Sequence, residues 1–151
     1  MTYRVELKTV ASRALAATRA RLPLNQVSHR FAEFLTPVYD TARAAGIALD
    51  GQNVFVYENC AAGAGDVTFG VGVKGAFTGH PPLVAAQTPS GVAAHVTHWG
   101  DYSGLGAAHA AVTSWCRETG KTLAGPSWEV YGHWSDDPSK LRTDIFYLLG
   151  E

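Results

Sequence analysis

Two stretches decide the fold: Gly46-Ile47-Ala48-Leu49-Asp50-Gly51-Gln52-Asn53-Val54-Phe55-Val56-Tyr57, and Gly120-Lys121-Thr122-Leu123-Ala124-Gly125-Pro126-Ser127-Trp128-Glu129-Val130-Tyr131. Gly46, Gly51, Val54 and Tyr57 correspond at one constant offset to Gly120, Gly125, Trp128 and Tyr131, and the same offset carries Val71 onto Ile145. A constant offset of this kind is the mark of an internal duplication. Each stretch opens on a glycine suited to ending a helix and then passes into an apolar, β-branched and aromatic run suited to a strand.

Working outward, the same order of elements surrounds both stretches. Tyr3, Val5, Leu7 and Thr9 alternate with Arg4, Glu6 and Lys8 as in a half-buried strand, and a second strand follows over about residues 13–20. Val27, Phe31, Phe34, Leu35, Val38 and Ala42 recur at spacings of three and four, which predicts an amphipathic helix from an Asn25 cap to Gly46. Pro37 lies inside it, and the missing backbone donor predicts a kink or a split there. Asn53 to Asn59 and Asp66 to Gly75 read as two strands of a hairpin joined by Ala-Ala-Gly-Ala-Gly. The second copy starts near Leu83 with a strand and continues with a strand from Gly91 to His98. A helix then carries Tyr102, Leu105, His109, Val112 and Cys116 toward Gly120, and strands over Ser127 to Trp134 and Leu141 to Leu149 close the chain. The expected architecture is α+β: a single domain over 1–151, with repeats of about 1–79 and 80–151. Each repeat is a strand-strand-helix-strand-strand module. Helices cover one face of an antiparallel sheet, and the other face is left for a groove.

Composition narrows the function. The 151 residues are 46% hydrophobic and 17% charged, which excludes the disordered and disulfide-dense classes. A formal charge of −1 without a run of like charge disfavours a direct nucleic-acid partner. The longest uncharged stretch, Gly75 to Gly100, is broken by Pro81, Pro82 and Pro89, so no membrane span is expected. The N-terminus lacks the apolar centre of a secretion signal, and a cytoplasmic location is the default expectation. Cys60 and Cys116 have neither metal nor disulfide spacing and read as reduced residues.

Glu129 is the residue most suggestive of chemistry, because a carboxylate within Trp128-Glu129-Val130-Tyr131 is costly to ionise without a partner. It either faces water, pairs with a nearby arginine such as Arg142, or serves a function. If compact Val54 and Val56 pack under the first helix, Phe55, Tyr57, Glu129 and Tyr131 share the opposite, uncovered face and form an aromatic box with one negative charge. Such a box suits flat cationic or polarised molecules. Trp99 and Phe146 are further candidates for its wall. No metal site is expected, since His95 and His98 leave opposite faces of one strand. His109, on the apolar stripe of its helix, reads as a core histidine with a satisfied hydrogen bond, and His29 and His133 as surface residues. Gly70-Val71-Gly72-Val73-Lys74-Gly75 matches the letter of a dinucleotide fingerprint. It lies within a strand, however, where glycine instead lets another group approach the sheet. No cofactor is expected, and no Ser or Cys nucleophile pattern is present.

Thr97-His98-Trp99-Gly100-Asp101-Tyr102-Ser103-Gly104-Leu105, Trp115, Pro126-Ser127-Trp128-Glu129-Val130-Tyr131 and Leu141-Arg142-Thr143-Asp144-Ile145 resemble, in order and spacing, the GyrI-like small-molecule-binding domains. These also serve as effector domains of multidrug-responsive and AraC-type regulators. The resemblance spans nearly the whole chain. It implies two modules about a pseudo-twofold axis, an aromatic groove, and the glutamate at Glu129 as the buried anionic group that reads ligands. The chain opens directly on its first strand, so no helix-turn-helix is expected. By the same resemblance the leading function is capture of an aromatic or cationic small molecule by Phe55, Tyr57, Trp99, Glu129, Tyr131 and Phe146. One alternative is hydrolysis of cyclopropane-bearing genotoxic natural products, with Glu129 as general base assisted by Tyr131, Tyr102 or Tyr57. Another is a gyrase-inhibitor-like protein-interaction domain.

Overall fold

The computed structural model describes residues 3–150. Eight strands and two helices follow one another in the duplicated order: β1 (Glu6–Val10), β2 (Ala14–Pro23), α1 (Val27–Ala45), β3 (Leu49–Ala61), β4 (Ala64–Val73), β5 (Val84–Gln87), β6 (Gly91–Trp99), α2 (Leu105–Glu118), β7 (Leu123–Tyr131) and β8 (Arg142–Leu149). Short 3-10 turns precede α1 and α2 and another precedes β8. The fold is α+β with antiparallel strand pairing throughout the registers given below.

The chain forms two compact units, Ser12–Thr88 and Met1–Ala11 with Pro89–Glu151. In the first, the strands lie in the order β3-β4-β2-β5; in the second, β1-β6-β8-β7. The boundary between units therefore differs from the boundary between repeats. The opening strand of each repeat pairs within the unit built from the other, β1 with β6 and β5 with β2.

The paired glycines acquire a structural reason. Gly46 ends α1 in the left-handed region at φ 72°, and Gly120 follows α2 at φ 70°. Gly51 and Gly125 have φ 81° and 119°, and each falls where its strand slips register, between Leu49 and Asn53 in β3 and between Leu123 and Ser127 in β7. The duplication thus preserves a helix stop and a bulge, two features that need positive φ. In the β3–β4 hairpin, Ala62 and Gly63 both take positive φ, as a two-residue connection between twisted strands requires. Pro37 splits nothing: α1 runs as one helix, its Leu35, Val38 and Ala42 buried on either side of the proline. Packing outweighs the lost backbone bond.

The alternation of β3 is also resolved, against expectation. Thr18 donates to the Phe34 carbonyl and Tyr39 donates to Asn53, which fixes the side of the sheet that α1 covers. By register Phe55 and Tyr57 lie on that side with Phe69 and Val67. Phe34 stacks on Phe69 at 4.8 Å, and Phe55 meets Phe69 edge-on at 5.0 Å and Phe31 at 6.2 Å. The aromatic residues, not the valines, pack under the helix, because α1 itself presents phenylalanines that interlock with them. Val54 and Val56 take the reverse face, where a Cβ on Gly70 would stand 2.9 Å from Leu15 Cδ1 and 3.3 Å from the Val54 carbonyl. That close approach, rather than a phosphate, accounts for the strand glycine.

Candidate functional site

The site is built within the second unit. Glu129 pairs in register with Ile145, Ser127 with Tyr147, and Tyr131 with Thr143. Ile145 belongs to the cluster that α2 covers, with Ala94, Val96, Ala108, Val112 and Cys116. Glu129 and Tyr131 therefore face the helix, not the helix-free side on which the sequence reading placed them. The period of two groups residues by face, but it does not say which face receives the helix.

α2 brings a histidine to the carboxylate. Glu129, 5% exposed, accepts from His109 Nε2 at 2.6 Å through Oε2 and from the Tyr131 hydroxyl at 2.6 Å through Oε1. Because a carboxylate only accepts, Nε2 carries the proton in this contact, and His109 Nδ1 and the Tyr147 hydroxyl share a hydrogen bond at 2.7 Å. The result is a chain of hydrogen bonds: Tyr147 to His109 to Glu129, with Tyr131 donating to the other oxygen. Donors at both oxygens offset part of the cost of removing the charge from water. Tyr102, on the turn before α2, meets Tyr131 edge-on at 5.6 Å, and burial pushes its phenol above the usual range, so it stays a neutral donor. Asp101 caps that turn by accepting from the Ser103 backbone N–H.

Beneath the turn, His98 accepts from the Tyr3 hydroxyl at 2.9 Å through Nδ1 and donates from Nε2 to the Asp101 carbonyl at 2.9 Å. A Cβ on Gly104 would come within 2.8 Å of the His98 ring, so the small residue lets the helix start seat on it. Thr143, wholly buried between His98 and Tyr131 in register, has a hydroxyl without a hydrogen-bond partner among the described residues.

Within the second unit the predicted residues divide. Glu129, Tyr131 and Tyr102 come together. Trp99 and Phe146 do not join them: both lie on the helix-free face, since their register partners Arg142 and His95 or Trp128 alternate with those facing α2. There Phe146 stacks on Trp128 at 5.2 Å and the Arg142 guanidinium sits 5.6 Å from the Trp99 ring. Arg142 pairs with Asp144 at 3.0 Å. Asp144 also accepts from His95 and Thr97. Phe55 and Tyr57 belong to the other unit and its helix-bearing face. Among the described residues no group of three or more His, Cys, Asp or Glu could hold a metal ion.

Two members of the site were missed, His109 and Tyr147. His109 was read as a satisfied core histidine; its partners are the very groups that matter. The signal was available: His109 lies on the apolar stripe, and Tyr147 shares the face of Ile145, two residues away.

No curated protein matches the chain. Its fold is shared with the EcmrR C-terminal domain, at 19% identity and a TM-score of 0.82, covering 100% of this chain and 99% of that one. Against EcmrR in a DNA complex the TM-score is 0.81, and the match covers 99% of this chain but 58% of that protein. SAV2435, solved bound to tetraphenylphosphonium, matches at 15% identity and a TM-score of 0.71 over 99% of this chain and 94% of its own. None of the helices among the described residues is long and apolar enough to cross a membrane. The GyrI-like small molecule binding domain matches residues 3–149, and the chain belongs to that family.

Proposed function

We propose that this domain captures lipophilic organic cations, with the Glu129 carboxylate as the charge that selects them. The observation that carries the reading is a carboxylate 5% exposed, on the helix-bearing face, that accepts hydrogen bonds at both oxygens. A carboxylate withdrawn from bulk water and held in place by hydrogen bonds acts on a ligand through a low local dielectric, where its charge is felt strongly. Tyr131 and Tyr102 supply aromatic faces beside it, each worth about 0.5 to 2 kcal/mol to a cation. Tetraphenylphosphonium, which SAV2435 holds, is the natural probe.

Calorimetric titration of tetraphenylphosphonium into wild type and Glu129→Gln tests this. The carboxamide retains shape and loses charge, so affinity is expected to fall about tenfold to hundredfold. Equal affinities for the two proteins, or no binding to wild type, would overturn the proposal.

A further inference from the structure

The first unit carries a cleft of its own, built without Glu129. It holds about 340 Å³ and lies across β2, β4 and β3, with Arg19, Arg21, Thr68, Asp66, Glu58 and Asn59 among the residues that line it. Register brings these side chains together. Arg19 pairs with Thr68 and Arg21 with Asp66, while on the other side of β4 the same two residues pair with Val56 and Glu58. Val56 lies on the face opposite α1, so Arg19, Arg21, Thr68, Asp66 and Glu58 share that face, toward the β3–β4 hairpin. Val54 and Val56 are buried there and Glu58, next in the alternation, is exposed.

The charges of the cleft divide into a paired set and an unpaired set. Arg21 donates from Nη1 to Asp66 Oδ1 and to the Asn59 carbonyl, each at 3.1 Å, and Asn59 Nδ2 donates to the other Asp66 oxygen at 2.9 Å. Both Asp66 oxygens are therefore engaged. Asn59 reaches this position because β3 slips register after Glu58, and its own φ of 52° is one that asparagine accepts more readily than most side chains. Arg19 differs. Among the described residues no carboxylate lies within ion-pair distance of it, and its guanidinium makes one long hydrogen bond, 3.4 Å from Nε to Thr68 Oγ1. Glu58 likewise has no cationic partner among the described residues. The two stand on β2 and β3 with β4 between them, roughly 10 Å apart across two strand spacings. The cleft is thus neutral in sum, with an unneutralised cation on one side and an unneutralised anion on the other.

We infer that this cleft binds a short zwitterionic peptide, its C-terminal carboxylate on the Arg19 guanidinium and its N-terminal ammonium on the Glu58 carboxylate. A guanidinium presents paired donors that match the two oxygens of a carboxylate. A simple anion is repelled by Glu58 and a simple cation by Arg19, so a molecule carrying both charges is selected. Length selects further: at about 3.5 Å per extended residue, a tripeptide spans the separation of the two strands and a single amino acid does not. Arg19 and Glu58 are both exposed, which keeps each contact weak and the expected affinity in the millimolar range. The site is separate from the cation-capture reading and does not depend on it.

The test is an NMR titration of the isotope-labelled protein with trialanine, with trialanine acetylated at its amino end, and with trialanine amidated at its carboxyl end. Trialanine is expected to shift the backbone amides of Arg19, Arg21, Glu58, Asn59 and Asp66 saturably. Each blocked peptide is expected to bind about threefold to tenfold more weakly. Arg19→Gln should bind trialanine no better than its amide, and Glu58→Gln should bind it no better than its acetylated form. The absence of a saturable shift at those residues, or blocked peptides that bind as tightly as trialanine, overturns the inference. So do variants that still discriminate as wild type does. Glu129→Gln, altered in the other unit, should bind trialanine with wild-type affinity; a loss there would assign the peptide to the Glu129 site and overturn the inference, while leaving the capture reading to its own titration.

Discussion

Replacing His109 by alanine removes a hydrogen bond that α2 gives to the Glu129 carboxylate, and the structure sets the size of the effect. A hydrogen bond to a charged group contributes about 1.5 to 3 kcal/mol. The Glu129 side chain is only 6% exposed, so bulk water does not replace the lost donor freely. The His109 ring is 24% exposed, however, and its removal opens a path by which water reaches the freed oxygen. Tyr131 still donates to Oε1. These opposing features place the cost near 2 kcal/mol, a fall in melting temperature of about 4 to 8 °C for a chain of this size. Urea unfolding of wild type, His109→Ala, Glu129→Leu and the double variant separates the pairwise interaction from the loss of packing, with an expected coupling of about 1.5 to 2 kcal/mol. A His109→Ala protein within about 0.5 kcal/mol of wild type would refute the reasoning. So would an equal cost of that change in the Glu129→Leu background.

Asp144 gives a prediction on the opposite face. Burial pulls its carboxyl upward, yet hydrogen bonds from His95, Thr97 and Arg142 and the Arg142 charge outweigh this and hold it well below the usual carboxylate range. A depressed folded value means stability that is present above the unfolded value near 3.9 and lost as pH falls through the folded one. Wild type should therefore lose stability from about pH 5 to about pH 2 more steeply than Asp144→Asn; parallel curves would contradict the network. Thr143→Val replaces a buried, unpartnered hydroxyl by a methyl of similar shape and should raise the unfolding free energy by about 1 kcal/mol; a decrease would mean that the hydroxyl is engaged.

What the sequence discloses follows the range of the interactions concerned. The glycines at 46, 51, 120 and 125 were legible because a helix stop and a bulge are local demands on φ, and the duplication repeats them at one spacing. The strands and both helices were legible from period. The exchange of β1 and β5 between the repeats was not, since either partner satisfies the same alternation; only long-range pairing chooses. The helix-bearing face was misassigned for a related reason. Phe55 and Glu129 alternate with valines and Trp128, and nothing within either strand states which set meets a helix whose own phenylalanines or histidine decide the matter. Trp99 and Phe146 were grouped with Glu129 by aromatic character and are separated from it by the sheet. His109 and Glu129 stand twenty residues apart on different elements, and their hydrogen bond arises from packing alone.

The claim on which the functional account stands is that Glu129 receives the cation. The most direct measurement is a crystal structure of the protein with tetraphenylphosphonium. The account predicts the phosphonium on the helix-bearing face of the second unit, its charge directed at the Glu129 carboxylate and its rings against Tyr131 and Tyr102. A cation seated elsewhere, with the hydrogen bonds of Glu129 to His109 and Tyr131 undisturbed and no ligand near them, would contradict it.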